Sequence, residues 1–297
     1  MKLVKLSTAY PAYLQKIYQS IPGLSDKPYS QQQEEIFADV FGTADFWTSA
    51  LKPLGYDATE ILANAEPLQK AWARENDVPS DGPDWFYHLV TRQIRQISPD
   101  IVLLTEYNKF PGSWIRDLRA AVPFIRLVVV WCGAPFSDHS VFAASDLVLT
   151  CIPELRERFR KLGFCSEHID HSFNPSVLER LDPYTDSRPD FTFVGQINRP
   201  NDFHYDREKL LLQLLKNTPL TIFSPSSALG LRDEFMASLR IGAYDLVRLA
   251  RGARIPDSFL AGIPGISSAA KWTGRPRMPV NRDLKEHLLP ERGKKPR

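Results

Sequence analysis

Apolar positions along the chain fall into short continuous runs, separated by longer stretches in which they recur every three or four residues. Residues 2–7 form a β-type run, and Tyr10–Pro11 leads from it into a helical pattern through Leu14, Ile17 and Tyr18. Pro11 suits a first helical turn, where its missing N–H removes no bond. Ser30 is placed to cap the next helix, with Gln33 completing a capping box before Ile36, Val40 and Phe41, and Gly42 as the stop. Asp45 caps a third helix through Phe46, Trp47, Leu51 and Leu54 that ends at Gly55. A strand over 58–63, a helix over 67–74 and a longer helix over 84–97 follow, the last with Trp85, Leu89, Ile94 and Ile97 mostly along one stripe.

Three runs have a continuous apolar stretch: 101–105, 124–131 (FIRLVVVW) and 146–151 (DLVLTC). Strands without alternation are buried on both faces, which predicts a parallel sheet wrapped by helices. A Gly133–Ala134–Pro135 turn and a short helix lie between the second and third runs, and a charged helix over 152–162 ends at Gly163. The expected fold class is therefore α/β, with an N-terminal Rossmann-like domain over residues 1–180.

Residues 181–190 (LDPYTDSRPD) have the proline- and aspartate-rich composition of a linker. A second α/β start follows: FTFVG at 191–195, a helix through Leu210, Leu211, Leu214 and Leu215, then LTIF at 220–223. Residues 231–253 read as helix and 257–270 as short helices, so the expected second domain, 191–297, is a partial Rossmann-like unit of two strands with a helical extension. From 271 to 297 there are nine basic and three acidic residues, so the tail carries +6 and the remainder −4.

Composition narrows the function classes. Over 297 residues the chain is 43% hydrophobic and 24% charged, which excludes a wholly disordered polymer and leaves room for about two domains. A net charge of +2 is too small to steer the whole molecule toward nucleic acid. Three cysteines without C-x-x-C spacing argue against a disulfide framework and a paired-cysteine zinc site. No apolar run approaches the roughly 18 residues of a membrane span, and residues 1–5 lack a signal-peptide core. A soluble, cytoplasmic protein is expected.

Two groups of residues carry candidate chemistry. Gly195 ends a strand before a helix, where backbone N–H groups approach an anion and the helix dipole favours phosphate. Gln196, Arg199, His204 and Arg207 follow within reach of the same loop. The alternative is that Gly195 only makes the turn and the basic residues are solvated surface. The second group lies at the carboxyl ends of the first-domain strands: Thr8 and Tyr10, then Glu106, Tyr107 and Asn108, then Gly133. Ligands of open parallel sheets bind in that crevice, and Glu106 could deprotonate a hydroxyl there; otherwise these are turn and surface residues. His168, Asp170 and His171 lack a third ligand at recognisable spacing, so no metal site is assigned. Cys132 reads as strand filler, the aromatics Phe46, Trp47, Trp72, Trp85 and Phe86 as core, and the basic C-terminal residues as solvated.

Several ordered segments resemble bacterial group 1 glycosyltransferases of the GT-B fold, including those with a spore-maturation-type C-terminal half. These are YPAYL at 10–14, DFW at 45–47, LGY at 54–56, NAE at 64–66, LQKAWA at 68–73, Gln93–Ile94, Pro99–Asp100, DLVLT at 146–150, FRKLG at 159–163 and FVG at 193–195. The resemblance implies two facing Rossmann-like domains, the first taking a hydroxyl acceptor and the second a nucleotide-sugar co-substrate. It implies hexosyl transfer without a metal or other cofactor, and it matches His204 and Arg207 to a His and an Arg that follow the glycine strand in such proteins. Relatives continue past the counterpart of Leu289 with further strands and donor-gripping residues, so a chain shortened at its C-terminus is expected. The alternative expectation is a non-catalytic binding or partner subunit, completed by a second chain or by homodimerisation.

Overall fold

The computed structural model describes residues 1–42, 44–180, 191–195, 197, 205–224, 230–253, 255–260, 262–263, 266–269, 276 and 282–289. The chain divides into two compact units, Met1–Asp182 and Pro183–Arg297. In the first, β1 (Lys2–Ser7), β2 (Asp57–Leu62), β3 (Ile101–Leu104), β4 (Leu127–Trp131), β5 (Leu147–Thr150) and β6 (Ser166–His168) form one sheet in the order β2-β1-β3-β4-β5-β6. Every pairing is parallel, with Lys5 opposite Glu60 and Leu6 opposite Leu104. Helices fill the crossovers: α1 (Pro11–Ser20), α2 (Tyr29–Ala38), α3 (Phe46–Leu51), α4 (Glu66–Glu75), α5 (Trp85–Ile97), α6 (Gly112–Ala121), α7 (Ser140–Ala143) and α8 (Pro153–Lys161).

Side-chain alternation assigns the two faces of the sheet. Val4, Leu6, Ile61, Val102, Leu104, Val128 and Val130 join Val90 and Ile94 of α5, Ile115 and Leu118 of α6 and Phe159 of α8 in one core. A second core gathers Leu14 and Ile17 of α1, Ile36 of α2, Leu62 of β2 and Leu68 of α4. With helices on both faces, this unit is a Rossmann-like α/β domain, as the uninterrupted apolar runs predict. The chain moves outward from β1 to β2, then crosses back to β3 on the other side. That reversal opens a crevice at the carboxyl ends of β1 and β3.

Several local expectations change. α2 begins at Tyr29 after Pro28, so Ser30 lies inside the first turn and forms no capping box. Gln33 instead donates to the Glu60 carbonyl at 3.0 Å and to the Tyr29 hydroxyl at 3.0 Å. The helix stops before Val40, whose φ of 58° lies in the left-handed region, and not at Gly42. Asp45 occupies the N-cap position of α3, but its carboxylate accepts from the Ser49 hydroxyl at 2.6 Å and caps no helix N–H. β4 starts at Leu127, because Phe124 is exposed in the preceding turn. α6 and the edge strand β6 had no counterpart in the periodicity reading.

The second unit contains a parallel sheet of β7 (Thr192–Val194), β8 (Thr221–Phe223) and β9 (Leu288–Leu289) in that order. The two-strand expectation is corrected: Leu288 and Leu289, opposite Ile222 and Phe223, add a third strand among the described residues. α9 (Tyr205–Asn217), α10 (Leu231–Gly252), α11 (Asp257–Leu260) and α12 (Arg282–Lys285) are its helices. Ile197, Leu211, Leu220, Ile222, Leu284 and Leu288 form its core. α10 buries Ala237 and Val247, while Leu231, Phe235, Leu239, Leu246 and Leu249 are exposed. Residues 181–190, the expected linker, lie outside the described residues.

Candidate functional site

A cavity of about 510 Å³ opens where β1, β2 and β3 end, at the reversal in strand order. Its walls come from the loop after β1 (Thr8, Ala9, Tyr10), the loop after β3 (Glu106, Asn108, Lys109), the helix ends that carry Tyr13 and Phe37, and Phe41 in the loop after α2. Both loops are held by hydrogen bonds. Asn64 clamps the first: its Oδ1 accepts from the Ala9 N–H at 2.9 Å and its Nδ2 donates to the Ala9 carbonyl at 2.7 Å. In the second, the Lys109 N–H donates to the Glu106 carbonyl at 3.1 Å and the Tyr87 hydroxyl donates to the Lys109 carbonyl at 2.9 Å.

Charged residues inside the strands set the electrostatics. Lys5 is fully buried, and its ammonium donates to Glu60 Oε1 at 2.8 Å. Ser7 lines the cavity, and its hydroxyl donates to the same oxygen at 2.5 Å. Glu60 Oε2 is buried without a hydrogen-bond partner. Burial pushes the Glu60 carboxyl above its ordinary pKa even though Lys5 and Ser7 pull the other way. Glu106 is half-buried, and no hydrogen bond to its carboxylate occurs among the described residues. Desolvation raises its pKa against the downward pull of Lys109 and Lys5.

One wall is aromatic. Tyr13 and Phe41 stack with ring centroids 3.9 Å apart and planes 9° apart, and Tyr10 meets Phe41 edge-on at 6.1 Å. Phe41 sits between Val40 and Gly42, with φ of 58° and 63°, and Ala44 follows with φ of 39°. Left-handed conformation at a β-branched valine is strained.

Tyr10, Glu106 and Asn108 therefore share one cavity, although almost a hundred residues separate the first from the others. Gly133 does not line it. It lies two residues past the end of β4, where the Trp131 indole occupies the space that a Cβ would fill. The Gly195 N–H donates to the Phe223 carbonyl at 3.0 Å. That donor belongs to the β7–β8 ladder, which corrects the expectation that it faces an anion. Arg207 lies exposed in the first turn of α9. Gln196, Arg199 and His204 fall outside the described residues.

The remaining sequence signals resolve separately. Cys132 is buried, its thiol donates to the Ala134 carbonyl at 3.3 Å, and burial raises its pKa, as suits an inert strand-end residue. His168 approaches the Cys151 carbonyl at 3.3 Å and Asp170 at 3.6 Å, while His171 packs 6.0 Å from the Trp131 ring. Among the described residues, no group of three His, Cys, Asp or Glu side chains gathers to hold a metal, and no helix is long and apolar enough to cross a membrane. Sequence reading missed Lys5, Ser7, Glu60, Tyr13, Phe41, Asn64 and Lys109. A usable signal existed for two of them: a lysine and a glutamate interrupt the apolar runs KLVKLS and DATEIL. Compared with known proteins, the chain matches no family model and no curated protein.

Proposed function

We propose that the protein is a glycosyltransferase that moves a hexosyl unit from a nucleotide sugar to a hydroxyl acceptor seated in the cavity after β1, β2 and β3. The observation that carries this reading is the Glu106 carboxylate, half-buried and without a hydrogen-bond partner among the described residues, on the wall of a cavity at the reversal in strand order. The ordered resemblance to GT-B enzymes agrees with it.

In this mechanism the acceptor oxygen bonds to the anomeric carbon as the bond from that carbon to the diphosphate breaks. Glu106 takes the acceptor proton, and its raised pKa brings it closer to that of a useful base at neutral pH. Asn108 and Tyr10 orient the acceptor. His204 and Arg207 by resemblance, with Arg199 from the same loop, are assigned to balance charge on the departing diphosphate, so no metal is assigned. Gly195 supplies the turn and not a donor. The test is incubation of purified protein with nucleotide sugars and a mixed acceptor pool, read as a mass increment. Glu106→Gln is expected to slow transfer by about 10²- to 10⁴-fold. Absence of a mass increment, together with no thermal shift by any nucleotide sugar, would remove the proposal.

The exposed apolar face of α10 favours a second reading, a non-catalytic subunit that pairs with another chain or with itself. Sedimentation decides: a monomer at micromolar concentration argues against self-association.

A further inference from the structure

Within the cavity, Ser7 is restricted to one hydrogen-bonding role. Glu60 Oε1 already accepts the Lys5 ammonium at 2.8 Å, so the 2.5 Å contact with Ser7 has the serine hydroxyl as donor. The Ser7 carbonyl accepts from the Ala63 N–H at 2.9 Å. What Ser7 has left for a ligand is lone pairs on Oγ. Asn64 spends one N–H and one Oδ1 lone pair on Ala9. Glu106, when ionised, also only accepts. Two acceptors therefore line the same cavity as Tyr10 and Phe41, beside the donor groups of Thr8, Asn108 and Lys109.

We propose that Ser7, locked as an acceptor by the buried Glu60–Lys5 pair, selects a cyclic polyol. A saccharide ring would lay its apolar C–H face on the Phe41–Tyr10 wall while one hydroxyl donates to Ser7 Oγ and another to Glu106. A simple alcohol cannot serve both acceptors, and a flat aromatic ligand leaves them unpaired, which costs affinity in a half-buried site. Ser7 is a specificity residue here; Lys5 and Glu60 act through it. The inference rests on the reading of this cavity as the acceptor site.

The test is a ligand-observed NMR titration of the full-length chain with methyl aldopyranosides and their singly O-methylated counterparts, in mildly alkaline buffer without any nucleotide sugar. At least one pyranoside is expected to bind, and methylating one of its hydroxyls to weaken binding about tenfold, because an ether cannot donate. Ser7→Ala should weaken the parent pyranoside by a similar factor and abolish the penalty for that ether. The ether comparison on the unmutated protein reads the same selectivity if Ser7→Ala fails to fold. The proposal is overturned if no pyranoside binds, if every ether binds as well as its parent, or if Ser7→Ala retains the penalty. Pyranoside binding with this selectivity but without sugar transfer would support the ring assignment and count against the transferase alone. Transfer to a non-carbohydrate alcohol without pyranoside binding would do the reverse.

Discussion

At the scale of single residues, the Lys5–Glu60 pair places two buried charges opposite one another on adjacent strands. Removing two ions from water costs several kcal/mol each, so the pair by itself adds little stability. Breaking it is different. Lys5→Met alone should destabilise by about 3–5 kcal/mol, whereas Lys5→Met with Glu60→Leu should be near neutral, both read by urea denaturation. Glu106 gives a pH-dependent counterpart. Its folded pKa lies above the unfolded value, so its contribution to stability is fully present below the ordinary carboxylate range and is lost as pH rises through the raised value. Glu106→Gln should therefore gain stability relative to the parent as pH rises from acidic to neutral; a constant difference would contradict this. That Tyr10, Glu106 and Asn108 come together at one cavity was legible because they follow strand ends. Ser7 and Glu60 were not, because their contact depends on which β2 residue lies opposite Lys5, and strand register leaves no mark in a single sequence.

At the scale of elements, strands buried on both faces were the easiest to read, since β3, β4 and β5 are continuous apolar runs with boundaries within a few residues. β6 was missed because SEH at a sheet edge has one buried residue of three. β9 was missed because two leucines are too short a pattern to separate from a helix. α6 places Gly112 at its first residue, against the Ser140 carbonyl at the start of α7. A Cβ there has no room, so Gly112→Ala should destabilise the first unit by about 1–3 kcal/mol, measurable by thermal or urea unfolding.

At the scale of the whole molecule, the first unit has its own two cores, one on each face of the six-stranded sheet. Residues 1–182 expressed alone should unfold in a single cooperative transition with the spectroscopic signature of an α/β domain; a non-cooperative melt would show that the remainder is needed. The architecture of this unit was legible because period and run length encode layers directly. The content of the second unit was less so, since its strands are of two or three residues and its longest helix keeps leucines and a phenylalanine on the outside.

The strand order has a consequence for biosynthesis. β1 precedes both of its partners in the sequence and lies between them in the sheet, and the second partner ends only at Leu104. During translation the chain through residue 104 must leave the ribosome before that ribbon is shielded on both flanks. Nascent chains halted before residue 104 would be the form most in need of a chaperone's grip.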